Sequence, residues 1–186
     1  MKQFILIILL CPALLKAQTT STNSKPVRFL AGAALEFGGD NIAEVYFTDG
    51  STQKMNAGQG GTLFAGGQVR LNKSEKLFLR GSVVIKYLTT KADNVHVRLT
   101  RIPLQLSFNY VPVKKLRLAA GIVSHQAINL KFDGIGEDAK FKSSPGLQFE
   151  AGYGLFAFSF TTMKYKDEDN NSYNANAIGV TISGVF

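Results

Sequence analysis

The sequence has no tryptophan, one cysteine (Cys11) and two histidines. Nor does it have an apolar run near the ~20 residues that a bilayer-spanning helix needs. A lone cysteine excludes a disulfide framework and a cysteine-ligated metal cluster. The missing run excludes a helical membrane protein. Charge is scarce too: Asp, Glu, Lys and Arg make up 18% of 186 residues, against about 25% in ordinary soluble domains. Yet 45% of the chain is hydrophobic, which excludes intrinsic disorder. What the chain does have is 18 glycines, 14 phenylalanines and a persistent alternation of apolar and polar residues. The length fits one domain.

Residues 1–17 read as a secretory signal peptide. Lys2 is followed by an apolar stretch from Phe4 to Leu15, closing on Lys16-Ala17-Gln18, with cleavage expected after Ala17. A lipoprotein signal acylating Cys11 fits less well, because Leu10 before it is not small. Losing Lys2 and Lys16 lowers the formal net charge of +8 by two and leaves a mature chain without cysteine. Residues 18–28 are polar, contain Pro26 and read as a flexible lead-in to a domain over 29–186.

From Phe29 onward the period is two, not 3.6, and eight strands are expected. Phe29, Ala31, Ala33, Leu35 and Phe37 oppose Leu30, Gly32, Ala34 and Glu36. Leu79, Gly81, Val83, Ile85 and Tyr87 oppose Arg80, Ser82, Val84 and Lys86. Ile102, Leu104, Leu106, Phe108 and Tyr110 oppose Pro103, Gln105, Ser107 and Asn109. Ile178, Val180, Ile182, Gly184 and Phe186 share a face of the last segment. Segments 62–71, 116–125, 146–153 and 155–165 behave alike, although Gly66-Gly67 blurs the register of the second strand and the sixth is short.

The connections alternate in length. Tight turns are expected at Asn72–Lys76, at Val111–Lys115 and near Gly154. Long links fall at 38–61, 88–97, 126–145 and 166–176. An up-and-down barrel in an outer membrane has this rhythm, with short turns on the periplasmic rim and loops outside. In lipid every backbone N–H and C=O must be paired within the protein, so a sheet survives there only if it closes on itself. The expected fold is an all-β, eight-stranded antiparallel up-and-down transmembrane barrel. Its apolar faces would point to lipid, and Glu36, Arg70, Arg80, Arg101, Arg117 and Glu150 would fill the lumen as a structural charge network. Eight strands leave no aqueous channel, which favours such a plug over an ion-conducting pore.

These features together resemble the small outer-membrane β-barrels of Gram-negative bacteria over residues 27–186. The resemblance implies that Phe186, an aromatic on the lipid face of the last strand, is part of the signal read by the barrel-assembly machinery. The missing tryptophan departs from the usual aromatic girdles. The stretch 47–60, with Asp49-Gly50 as a hairpin turn, suggests a first loop rising as a ribbon.

Some members of that group are lipid A deacylases with His, Ser and Glu near the chain end. Here that region offers Ser172 and no histidine; His96 and His125 are the only two. Ser124 beside His125 is no dyad, because adjacent strand residues face opposite ways. The Asp167–Asn171 run starts like a calcium loop but has Ser172 and Ile178 where glycine and glutamate belong. The run Gly152–Ala157 matches a dinucleotide fingerprint with no helix after it. No cofactor or metal is expected. The cations lack a basic helix or stacking motif, which argues against nucleic acid.

Lys73, Lys76, Lys114 and Lys115 fall at the expected periplasmic rim. Lys131, Lys140, Lys142, Lys164 and Lys166 fall near the outer one, where lipopolysaccharide phosphates would meet them. The leading expectation is a non-enzymatic structural or adhesion-type module that binds an extracellular ligand through its loops. A lipid hydrolase and a soluble lipocalin-like carrier are the alternatives.

Overall fold

The computed structural model describes residues 26–47, 50–92, 95–133 and 137–186, with backbone only at 91, 92 and 95. The expected signal peptide, most of the lead-in and Asp49 lie outside the described residues. Alternation of this kind can only become strands, and no helix occurs among the described residues. The strands are β1 (Val27–Phe37), β2 (Asn41–Tyr46), β3 (Thr52–Asn56), β4 (Gly60–Arg70), β5 (Leu77–Ala92), β6 (Val95–Tyr110) and β7 (Leu116–Asp133). There follow β8 (Ala139–Ser143), β9 (Gly146–Tyr153), β10 (Phe156–Thr162), β11 (Lys164–Lys166), β12 (Ser172–Asn174) and β13 (Ala177–Val185).

Eight of these close a ring, each antiparallel to the next, in the order β1–β4–β5–β6–β7–β9–β10–β13 and back to β1. The closing seam runs from Leu30 opposite Val185 to Phe37 opposite Ile178. Ring neighbours follow one another along the chain, so the fold is an eight-stranded antiparallel up-and-down barrel. Gly66 and Gly67 keep their places in the ladder, opposite Ser82 and Gly81, without a bulge. Glycine is required at Gly66, where a Cβ would stand 2.0 Å from the Gly81 carbonyl oxygen.

One end of the barrel carries the short turns, at 71–76, 111–115 and 154–155. Each turn holds one residue in the left-handed region: Glu75 (φ 55°), Lys115 (φ 72°) and Gly154 (φ 65°). The Asn72 carboxamide oxygen accepts the N–H groups of Lys76 and Leu77 at 3.1 and 3.2 Å, which ties the first turn.

Around this turn end the barrel is inside-out. Phe29, Leu35 and Phe37 are each more than half exposed, while Leu30 and Glu36 between them are buried. Leu63, Ile85, Leu104, Ile122, Phe149, Phe158 and Val180 continue the exposed apolar belt around the ring. On β6 the belt runs nine residues, from Ile102 to Tyr110. At ~3.3 Å per residue and ~45° tilt it stands about 20 Å high, near the ~25 Å of a transmembrane barrel's lipid-facing band. A belt of that size running right round the ring calls for an apolar surrounding, as the hydrocarbon of a bilayer supplies.

Towards the loop end the polarity reverses. On β6, Val97 and Leu99 point inward and are buried, whereas His96 and Arg98 point outward. β7 reaches the same arrangement through an extra residue. His125 faces in, Ala127 adopts φ 48°, and Ile128 and Leu130 face in again. The register slips at this bulge, between the Thr100–Asn129 and Ile102–Gln126 pairs. Beyond it β7 leaves β9 and pairs with β8, which pairs with β11, which pairs with β12.

The result is an upper story with its own apolar core, including Val97, Leu99, Val123, Ile128, Leu130, Met163 and Tyr165. Burying each of its larger side chains is worth about 1.5–3 kcal/mol against exposure to water. A segment standing in water needs such a core; one standing in lipid does not.

Two expectations about the loops need correcting. Residues 88–97 are largely strand, because β5 and β6 continue past the belt, and 126–145 is mostly β7 and β8. The first loop does form a hairpin, β2–β3, but it does not rise freely. Val45, Met55 and Ala57 tuck into the upper core and fold it over the barrel mouth. The apolar residues of an otherwise polar ribbon force that closure.

Candidate functional site

The barrel interior is filled from top to bottom by inward-facing polar side chains of the ring strands. Near the loop end, β5 and β6 bring Lys86 and Arg101 together beneath the β2–β3 hairpin. The Arg101 guanidinium donates to the Ala57 and Gln59 carbonyl oxygens at 2.6 and 2.5 Å. The Lys86 ammonium donates to the Gly58 carbonyl oxygen at 2.6 Å and pairs with Glu36 Oε2 at 2.6 Å. Lys86, Arg101 and Glu36 are buried. Two cations thus grip three successive residues of the chain returning from the hairpin, and Glu36 balances one of them. This is a latch.

The lower interior holds a second group. Arg117 pairs with Glu150 and donates to Asn109 Oδ1 at 3.1 Å. Arg80 donates from Nε to Gln68 Oε1 at 2.7 Å. Between the groups lies a cavity of about 50 Å³ bordered by Glu36, Arg80, Arg117 and Glu150, with Phe64 laid across Gly32.

Five of the six residues expected in the lumen therefore face the interior, in two separate groups. Arg70 stands apart from both groups. It has the same inward parity but sits at the last rung of β4, where it pairs with Glu75 of the adjoining turn. Lys86 was missing from the expected set, although it stands on the face of β5 that carries Arg80. The signal was there in the alternation. Phe186 packs against Phe29, with ring centroids 6.2 Å apart, and the two exchange backbone hydrogen bonds across the seam.

The histidines occupy different surroundings. The buried His125 imidazole bonds through Nδ1 to the Tyr165 hydroxyl, while Ser143 Oγ engages the His125 backbone. Ser124 faces the opposite way and accepts from Gln126 Nε2 at 2.8 Å. His96 lies on the outer surface, with Nε2 at 2.9 Å from Thr89 Oγ1 and Nδ1 at 3.7 Å from Asp133 Oδ2. Among the described residues, no serine hydroxyl meets either imidazole.

The Asp167 carboxylate is used locally. Its oxygens accept from the Asn171 backbone N–H (2.8 Å), the Asn171 side-chain amide (2.9 Å) and the Tyr173 hydroxyl (3.1 Å). The Asn171 amide, followed by its backbone N–H and Tyr173, holds the carboxyl below its usual range. Its bond to Asp167 raises the Tyr173 hydroxyl above its own.

The outer face of the upper story is basic. Lys142 stands directly opposite Lys166 across β8 and β11, and Arg98 directly opposite Lys131 across β6 and β7. Lys140 and Lys164 extend the row, opposite Asn129 and Asn174. Arg98 is paired with Asp133 at 2.5 Å. Among the described residues none of these five lysines makes an ion pair, and all five are exposed. A depression of about 510 Å³ opens among Lys140, Lys142, Lys166 and Asn129, with Asp167 and Glu168 on its border. Like charges placed opposite one another cost stability unless something anionic lies between them. Only the positions of these lysines, not their pairing across strands, were readable from the sequence.

No family model matches the chain, and no curated protein does. Among solved structures it is similar to Ail, the attachment invasion locus protein of Yersinia pestis. The identity is 11%, with 85% of this chain and 97% of that one covered at a TM-score of 0.41.

Proposed function

We propose that the protein is a non-enzymatic barrel of the Gram-negative outer membrane and acts as a structural and surface-interaction module. The exposed apolar belt, with charge enclosed behind it, carries this reading. The turn end then faces the periplasm, as a chain exported behind an N-terminal signal requires, and the upper story stands outside the cell. Its basic face stands on the loop side of the belt, beyond Thr100 on β6 and Gln126 on β7, where lipid phosphates would meet it. The partner this chemistry fits is the phosphorylated head of lipopolysaccharide, with the β2–β3 hairpin and the other loops left to meet an extracellular ligand.

The Lys142–Lys166 juxtaposition across β8 and β11 supports the lipid assignment, since a bridging phosphate relieves it. The test compares thermal unfolding of the barrel in phosphatidylcholine vesicles with and without lipid A. The expected result is a higher unfolding temperature with lipid A, lost in the Lys142→Glu, Lys166→Glu double variant. Equal unfolding temperatures in the two membranes would remove the proposed partner. Protease shaving of whole cells should cut between β7 and β8 and spare the two strands themselves.

A further inference from the structure

The turn end has a feature that an inert plug does not require. Arg28, Arg80 and Arg117 line one open pocket of about 290 Å³ at this mouth, together with Gly154, Leu155 and Ser183. They form a graded series. Arg28 is exposed, Arg80 half-buried and Arg117 buried. Among the described residues no carboxylate lines the pocket. Glu150 borders the cavity just above and pairs with Arg117. Among the described residues Arg80 donates to the neutral Gln68 amide, and Arg28 to the Val185 carbonyl oxygen at 3.5 Å. Three guanidinium groups therefore converge on a space answered by one carboxylate. Like charges lining one pocket repel, and a half-buried charge without a counter-charge costs stability.

We propose that this mouth is a binding site for a small tetrahedral oxyanion of the phosphate class, held between Arg28, Arg80 and Arg117. Guanidinium forks match phosphate oxygens bidentately, which suits three arginines around one anion better than three lysines would. The pocket volume admits such an ion or the phosphate end of a larger ester. The site lies at the opposite end from the basic outer face and does not depend on it. In the proposed orientation it samples periplasmic solutes.

The test is calorimetric titration of the folded barrel in zwitterionic detergent, at constant ionic strength, with inorganic phosphate and separately with glycerol 3-phosphate. Saturable one-site binding is expected. Arg80→Gln should weaken it about tenfold, as loss of one charge-assisted contact predicts. Lys73→Gln, an exposed turn cation outside the pocket, should leave it unchanged. Tighter binding of the ester than of the free ion would assign the natural ligand to phosphate esters, and the reverse to the free anion. Absence of saturable binding would overturn the proposal, as would equal weakening in both variants. Should Arg80→Gln not close into a barrel, Arg28→Gln at the exposed mouth takes its place, and unchanged affinity there would equally overturn it.

Discussion

Lys86 and Arg101 do more than fill space, because each donates to backbone carbonyls of the folded-over hairpin that have no strand partner. Removing the Lys86 ammonium leaves Glu36 as a buried, unanswered carboxylate. Lys86→Met should therefore destabilise the barrel by about 3–5 kcal/mol, measured by urea unfolding in vesicles, and Glu36→Gln added to it should restore a large part. Asp167 gives a second prediction, this time against pH. Its folded-state carboxyl titrates below the ordinary value near 3.9, so its contribution to the 167–171 turn is complete above that value. As pH falls through the lowered folded value the contribution disappears. The Asn171 amide proton resonance should shift only in that acidic window; a midpoint at or above the ordinary value would contradict the hydrogen-bonding described.

Among the elements, β7 depends most on a single residue. Ala127 inserts one position between inward His125 and inward Ile128, and so lets a strand that faces lipid below continue as one that faces water above. Deleting Ala127 should turn Ile128 and Leu130 outward and dissolve the upper core while the ring below still closes. Protease would then cleave β8, β11 and β12 in a barrel that keeps its shifted migration on unboiled gels. Ala127→Gly keeps the bulge and relieves its left-handed backbone, so it should stabilise by up to about 1 kcal/mol.

This bulge also marks where the sequence stopped being legible. The eight ring strands, their turns and their facing are readable because the belt segments run on a period of two, blurred at Gly66-Gly67. The bulge at Ala127 breaks the period. The upper strands invert the meaning of an apolar residue, so 88–97 reads as loop rather than strand. The latch was half visible: Arg101 and Glu36 stood out as inward charges, but their grip on the 57–59 carbonyls depends on a long-range fold-back that no local pattern encodes.

The whole molecule is one tube with two environments. Its lower half exchanges apolar surface with hydrocarbon and hides charge; its upper half hides apolar surface and shows charge to water. Placing a charge on the lower outside, as in Leu104→Arg, should cost about 2–4 kcal/mol in a bilayer. The outward-facing Lys131→Ala on the upper story should cost almost nothing. Residues 18–186 contain no cysteine, so single cysteines placed in the barrel report position directly. The decisive measurement attaches an environment-sensitive fluorophore to Leu104→Cys and to Ser107→Cys of the barrel folded in vesicles, then adds lipids carrying a quencher in their acyl chains. The label at 104 should be quenched strongly and the label at 107 hardly at all. Quenching at 107 with none at 104 would mean that the leucine row packs centrally and that the barrel does not stand in lipid.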